Sequence, residues 1–208
     1  MGAAVTVRSA MTTPIDPDLV ARAADGERDA TGELLGLVHP GVVRYCRARL
    51  GQVGGAYTTA DDVAQEVCLA LLDALPTYRD IGRPFVAFVY GIAAHKVADA
   101  KRSAHRVAAP AAASGSVEEE LVDEPDTITP GPEEAVESID LARRLSELLD
   151  RLPEPQREIV LLRVAVGLSA DEVGSVVGMS AAAVRVAQSR ALARLRALAS
   201  DVLGEVVA

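Results

Sequence analysis

Apolar residues recur along this chain at the three- and four-residue spacing of amphipathic helices, and no pair of strands is evident, so an all-α protein is expected. Asp16 to Ala24 starts a helix with Pro17 in its first turn, and Asp25-Gly26 interrupts it. Arg28 to Leu50 carries Leu34, Leu35, Val38, Val42, Val43 and Cys46 at helical spacing, with a kink or break expected at Pro40. Residues 51–57 read as a loop. Thr59 opens the next helix, where Asp61 and Asp62 complement the helix dipole and Pro76 ends the run. Its stripe is Val63, Val67, Leu71, Leu72 and Leu75. After a loop from Tyr78 to Pro84, a helix runs from Phe85 to about His105, with Phe88, Ile92 and Val97 among its apolar positions.

The pattern resumes at Ser138. Ile139, Leu141, Leu145, Leu148 and Leu149 predict a helix to Arg151, broken by Pro153-Glu154-Pro155, and a further helix extends to Val166. Gly167 to Leu198 then reads as a helix-turn-helix. Ser169 with Glu172 matches a capping box at the start of a short helix, Ala170 to Val177. Gly178 supplies the positive φ of a tight turn, and Ser180 caps a second helix that runs past Leu195. Gly174 sits where the two helices cross, and Val173, Val177, Met179, Val184 and Ala187 are expected to fill the wedge between them. The outer face of the second helix carries Arg185, Gln188, Ser189, Arg190, Arg194 and Arg196, and no acidic residue occurs from Val173 to Ser200. Such a face suits the major groove, where Arg reads guanine and holds phosphates.

Between the two helical runs the composition changes. Residues 107–137 are rich in Pro, Ala, Ser and acids, which is a linker composition. The organisation expected is a leader (1–15), a helical domain (16–106), an acidic linker (107–137), a helix-turn-helix domain (138–203) and a loose tail (204–208). The net charge of −9 is unpromising for a DNA binder, but residues 111–140 hold 10 acidic and no basic residues, so the flanking domains are near neutral. Near-neutral domains bind DNA weakly, because phosphate neutralisation dominates affinity. A partner is therefore expected to help hold the DNA.

Four of the six aromatics fall within thirteen residues, Tyr78, Phe85, Phe88 and Tyr90, beside the basic stretch Lys96, Lys101, Arg102 and Arg106. Stacking on unpaired bases is the favoured reading of this cluster, and core anchoring is the alternative for each ring. Asp61, Asp62, Gln65 and Glu66 form a polar edge. Capping and a solvated face account for Asp61, while Gln65 and Glu66 can face a protein partner. Cys46 and Cys68, 22 residues apart with no CxxC, read as small core residues in a reducing compartment. No catalytic residue, metal set or cofactor motif emerges, because His95 and Asp99 at i,i+4 read as a local hydrogen bond. No apolar run approaches a membrane span and no signal-peptide core is present, so a cytoplasmic protein without membrane insertion is expected.

These segments resemble the extracytoplasmic-function sigma factors of bacterial RNA polymerase, most closely the actinobacterial sigma-D subgroup. ADDVAQEVCLALLDAL (60–75) is similar to the polymerase-binding helix of region 2.2. Tyr78-Arg79-Asp80 followed by PFVAFVYGIAAHKVADAKR (84–102) is similar to regions 2.3 and 2.4, and residues 149–195 to region 4. The resemblance implies that Asp62, Gln65 and Glu66 dock on core polymerase, formed by its β and β′ subunits. It implies that Tyr78, Arg83, Phe85, Phe88, His95, Lys96, Lys101 and Arg102 contact the −10 element, with a flipped base captured at the 78–84 loop. It assigns Ser180, Arg185, Gln188, Ser189, Arg190 and Arg194 to the −35 element. Phe88 stands where the family usually has Trp and His95 where it has Asn. Ala182-Ala183 replaces Gly-Thr and Val186-Ala187 replaces Ser-Arg, so altered base choice is implied. The acidic linker would lie in the transcript channel, and an anti-sigma factor is an implied partner. Such a tether of about thirty residues spans roughly 30 Å on average. Taken without the resemblance, the helix-turn-helix also fits a stand-alone transcriptional regulator.

Overall fold

The computed structural model describes residues 15–50, 59–108 and 143–207. The helices are α1 (Pro17–Ala24), α2 (Arg28–Leu50), α3 (Ala60–Ala74), α4 (Phe85–Ala108), α5 (described over 143–150), α6 (Glu154–Val160), α7 (Ala170–Val177) and α8 (Ala181–Val207). A 3-10 turn, Leu75–Thr77, follows α3, and a π-helical turn, Leu161–Val166, continues α6. No strand occurs among the described residues. The expected leader except Ile15, the 51–57 loop, and the linker beyond Ala108 lie outside the described residues, as do residues 138–142.

Local signals set most boundaries. The Asp16 carboxylate caps α1 by accepting from Asp18 N–H at 3.0 Å, and Gly26 turns the chain into α2 at φ +87°. The break expected at Pro40 is absent, since α2 runs through it without interruption. Pro40 faces solvent, and an internal proline costs about 3 kcal/mol or more. The helix bears it because Leu34, Val38, Val42, Tyr45 and Cys46 on its opposite side are almost wholly buried. The loose tail is corrected as well, because the backbone of α8 stays helical to Val207.

Helix α2 is the centre of the molecule. On one side it meets α1, α3 and α4, and on the other the π-turn that follows α6. Tyr45 of α2 and Tyr90 of α4 meet edge to face, with centroids 5.5 Å apart at 69°. Ile159, Leu162, Val166, Leu168, Val173 and Val184 from the second half belong to the same buried cluster as the α1–α4 residues. The sequence suggests two modules spaced by a tether, whereas the described halves lie against each other and share a core. A smaller cluster of Leu149, Leu152, Val160, Leu161 and Ala191 holds α5 and α6 to α8.

Candidate nucleic-acid interface and polymerase-docking face

The loop between α3 and α4 shapes a hollow of ≈ 580 Å³. Pro76 stops α3 in a 3-10 turn, and the Asp80 carboxylate accepts from Gly82 N–H at 2.8 Å, with Gly82 at φ +76°. Tyr78, Arg83, Phe88, His95 and Lys96 come together around the hollow. The Tyr78 ring lies 5.0 Å from Phe88 and 5.2 Å from Phe85. Phe85 is corrected: it is 7% exposed, a core anchor that supports Tyr78 from behind and does not line the hollow. Tyr90 is likewise core. An apolar floor with aromatic walls and cations at the rim can take a planar unpaired base and its phosphates. Arg79, Ile81 and Ile92 also line it. Helical spacing did not reveal them, because two lie in the loop and Ile92 reads as core.

His95 Nδ1 lies 3.1 Å from an Asp99 oxygen, and Arg102 donates to the same carboxylate. That hydrogen bond, with His95 close by, holds Asp99 below the usual carboxylate range. The i,i+4 contact is therefore the local pairing expected, and it orients a ring on the hollow's edge.

Helix α3 presents Asp62, Gln65 and Glu66 to solvent. Their roles differ from the expected equivalence. The Asp62 carboxylate completes the capping box, accepting from Thr59 N–H at 2.8 Å while Thr59 Oγ1 accepts from Asp62 N–H at 3.1 Å. Asp61, assigned to capping from the sequence, instead pairs bidentately with Arg47, both contacts at 2.8 Å. Glu66 lies 3.4 Å from Lys96 Nζ, which joins this face to the hollow. One turn beyond Gln65, Leu69 is 62% exposed, a large apolar side chain the sequence reading omitted. It shares the exposed side of α3 with Gln65 and Glu66.

The helix-turn-helix forms as the sequence predicts. Ser169 and Glu172 close a capping box, Gly178 adopts φ +73°, and Ser180 Oγ accepts from Ala183 N–H at 3.2 Å. Val173 and Val184 are fully buried between the helices, while Met179 is a correction: it is 39% exposed on the turn. Arg185, Ser189, Arg190 and Arg194 are exposed on α8. Gln188 is half-buried and accepts from Arg163 Nε at 3.0 Å, so it braces α8 against the preceding π-turn.

Residues 34–107 match the family model of Sigma-70 region 2, and residues 142–195 match Sigma-70, region 4. The chain belongs to the sigma-70 family of RNA polymerase sigma factors. It is 54% identical over 178 residues to the ECF RNA polymerase sigma factor SigD of Mycobacterium tuberculosis, covering 86% of this chain and 81% of that protein. It is 52% identical over 184 residues to the ECF RNA polymerase sigma factor ShbA of Streptomyces griseus, covering 88% and 94%. A solved structure of CnrH in complex with the cytosolic domain of CnrY matches with a TM-score of 0.62 at 27% identity, over 88% of this chain and 96% of that one. The chain is thus an ECF sigma factor of the SigD kind.

In this sigma factor regions 2 and 4 meet through a polar seam. Arg44 Nε donates to the Ala165 carbonyl at 3.0 Å, and the Tyr45 hydroxyl donates to Glu158 at 2.8 Å. Arg49, its side chain 9% exposed, contacts Glu154 and lies 3.4 Å from Glu158. Burial holds the Glu158 carboxyl above the usual glutamate range despite Arg49 and the Tyr45 hydrogen bond. Burial, with Arg49 and Arg157 nearby, pushes Lys101 below the usual lysine range. Near the hollow, Arg83 donates to the Ser175 carbonyl of α7 at 2.9 Å. Cys46 is buried, its thiol pushed up to about 12 chiefly by burial, in keeping with a core role. No described helix is long and apolar enough to cross a membrane, and no group of three or more potential metal ligands occurs among the described residues.

Proposed function

We propose that this chain is an alternative sigma factor, which binds core RNA polymerase and directs promoter-specific transcription initiation. The observation that carries this reading is the joint presence of an aromatic hollow in region 2 and a basic helix face in region 4, with no acidic residue from Val173 to Ser200. Tyr78, Arg83, Phe88, His95 and Lys96 take the −10 strand, and Lys101 and Arg102 follow its backbone along α4. Arg185, Ser189, Arg190 and Arg194 read the −35 duplex, with Ser180 capping the reading helix. Gln65, Glu66 and Leu69 dock on the β and β′ subunits. The protein acts in the cytoplasm without chemistry of its own. The CnrH match, solved with a protein bound, supports an inhibitory protein partner of the anti-sigma kind. A stand-alone regulator accounts for the helix-turn-helix but leaves the match over residues 34–107 without a role.

The division of labour is testable in a promoter library transcribed with core polymerase. Exchanging Arg185, Ser189 and Arg190 together for the residues of another family member should move the preferred −35 bases. Each lost base contact costs about 1–3 kcal/mol, roughly 5- to 150-fold in preference. Affinity for core polymerase should stay the same. Loss of polymerase affinity in the exchanged variant contradicts the assignment.

A further inference from the structure

Resting on the sigma-factor reading, we propose that Val186 is a specificity-determining residue, which selects a thymine of the −35 element through the C5-methyl group of that base. Val186 stands in the first two turns of α8, the part of a reading helix that reaches base edges. Val184 is fully buried, and two residues on, at about 100° per residue, the chain has turned to the far side of the helix. The Val186 side chain there is 50% exposed and joins neither buried cluster. Nothing in the fold calls for it: valine is a poorer helix former than alanine, and alanine stands at Ala182, Ala183, Ala187 and Ala193 of the same helix. The charges around Val186 say what covers it. Around the helix it falls between Arg185 and Arg190, both exposed, and no acidic residue occurs from Val173 to Ser200. Arginines on either flank suit the phosphates that line the two walls of a groove. Ala182, one turn earlier on the same face, is exposed and ends at its Cβ, so Val186 stands proud of its surroundings. Against base edges this side chain has one chemistry. It carries no donor or acceptor, and its branched Cβ holds the two methyls in a fixed direction. Purine N7, guanine O6 and the exocyclic amines need hydrogen bonds, so valine placed on them removes water and returns nothing. The thymine methyl is the apolar group of the major-groove edge, and contact there takes two apolar surfaces out of water together. Val186 therefore sets one position of the box, while Arg185 and Arg190 hold the neighbouring bases and phosphates.

The experiment uses holoenzyme, the full-length chain with core polymerase, on promoter fragments carrying the −35 box selected from the promoter library. Each thymine of the box, on either strand, is replaced in turn by deoxyuridine, which pairs in the same way and lacks only the methyl group. Competition binding gives the affinity ratio for each substitution. With the parent chain, one thymine or two adjacent ones should show a loss of about fourfold, the effect of leaving one methyl group unburied. In Val186→Ser the same substitution should leave affinity unchanged, because the apolar partner of the methyl is gone. Val186→Ile keeps an apolar, branched side chain and should retain the loss. Both variants should unfold at the parent's temperature and respond to a scrambled −10 box as the parent does, since the side chain is exposed and lies in region 4. Three results overturn the role of Val186: a selected box made only of G·C pairs, a parent indifferent to every missing methyl, or the same loss in Val186→Ser as in the parent. Each leaves the sigma-factor reading standing as long as the parent holoenzyme yields promoter-specific transcript. Absence of that transcript from the parent holoenzyme overturns the sigma-factor reading itself.

Discussion

Gly174→Ala should cost region 4 about 3 kcal/mol and lower its unfolding temperature by about 10 °C or more. A Cβ at Gly174 would stand 2.4 Å from the Met179 backbone oxygen. The obstacle is main chain, which cannot swing aside as a flexible side chain can. The same turn is tied down by Met179 N–H donating to the Gly174 carbonyl at 2.9 Å, so α7 and α8 must separate together. Val173 and Val184, both fully buried, would lose contact with each other's helix. Gly178→Ala is the matched comparison. Nothing lies within 4 Å of a Cβ there, and only the φ of +73° is strained. Its cost should be about 1–2 kcal/mol. Thermal unfolding followed by far-UV circular dichroism separates the two. Equal stability of Gly174→Ala and the parent would contradict the crossing geometry.

Leu69→Asp should weaken binding to core polymerase by about 30-fold or more, equivalent to at least about 2 kcal/mol. The side chain is 62% exposed, so its removal takes little from the fold, and unfolding should be unchanged. In the complex a carboxylate would replace an apolar side chain one turn beyond Gln65, with desolvation to meet and no partner for it. Asp62→Asn should act differently. It weakens a capping bond, which costs about 1 kcal/mol of helix stability, and affects polymerase binding only through α3. Titration of labelled core polymerase with each variant makes the comparison. Full affinity in Leu69→Asp would remove this face from the docking surface.

Local chemistry made much of the fold legible. The Ser169–Glu172 box, Gly178 and the Ser180 cap are short-range signals, and each formed as read. Thr59 to Asp62 spans the same three-residue box and is legible as a cap in the same way, whereas the pairing of Asp61 with Arg47, fourteen residues away, is not. Phe85 and Phe88 lie three apart on one helix. Spacing alone cannot say which faces the loop, and the structure buries Phe85 while Phe88 borders the hollow. Met179 follows a left-handed glycine, and that turn directs it outward where a periodic pattern would place it inside. Pro40 shows tertiary burial overriding a local breaker. The seam was invisible because Tyr45 and Glu158 are 113 residues apart, and each alone reads as an ordinary helix residue.

The central claim is that this protein gives core RNA polymerase its promoter. Run-off transcription with purified core polymerase tests it most directly, on templates carrying the −35 and −10 boxes selected from the promoter library. A discrete transcript should appear only when the protein is added, and should vanish when either box is scrambled. Tight, sequence-specific binding of the free protein to those boxes, with no transcript in the presence of core polymerase, would contradict the account.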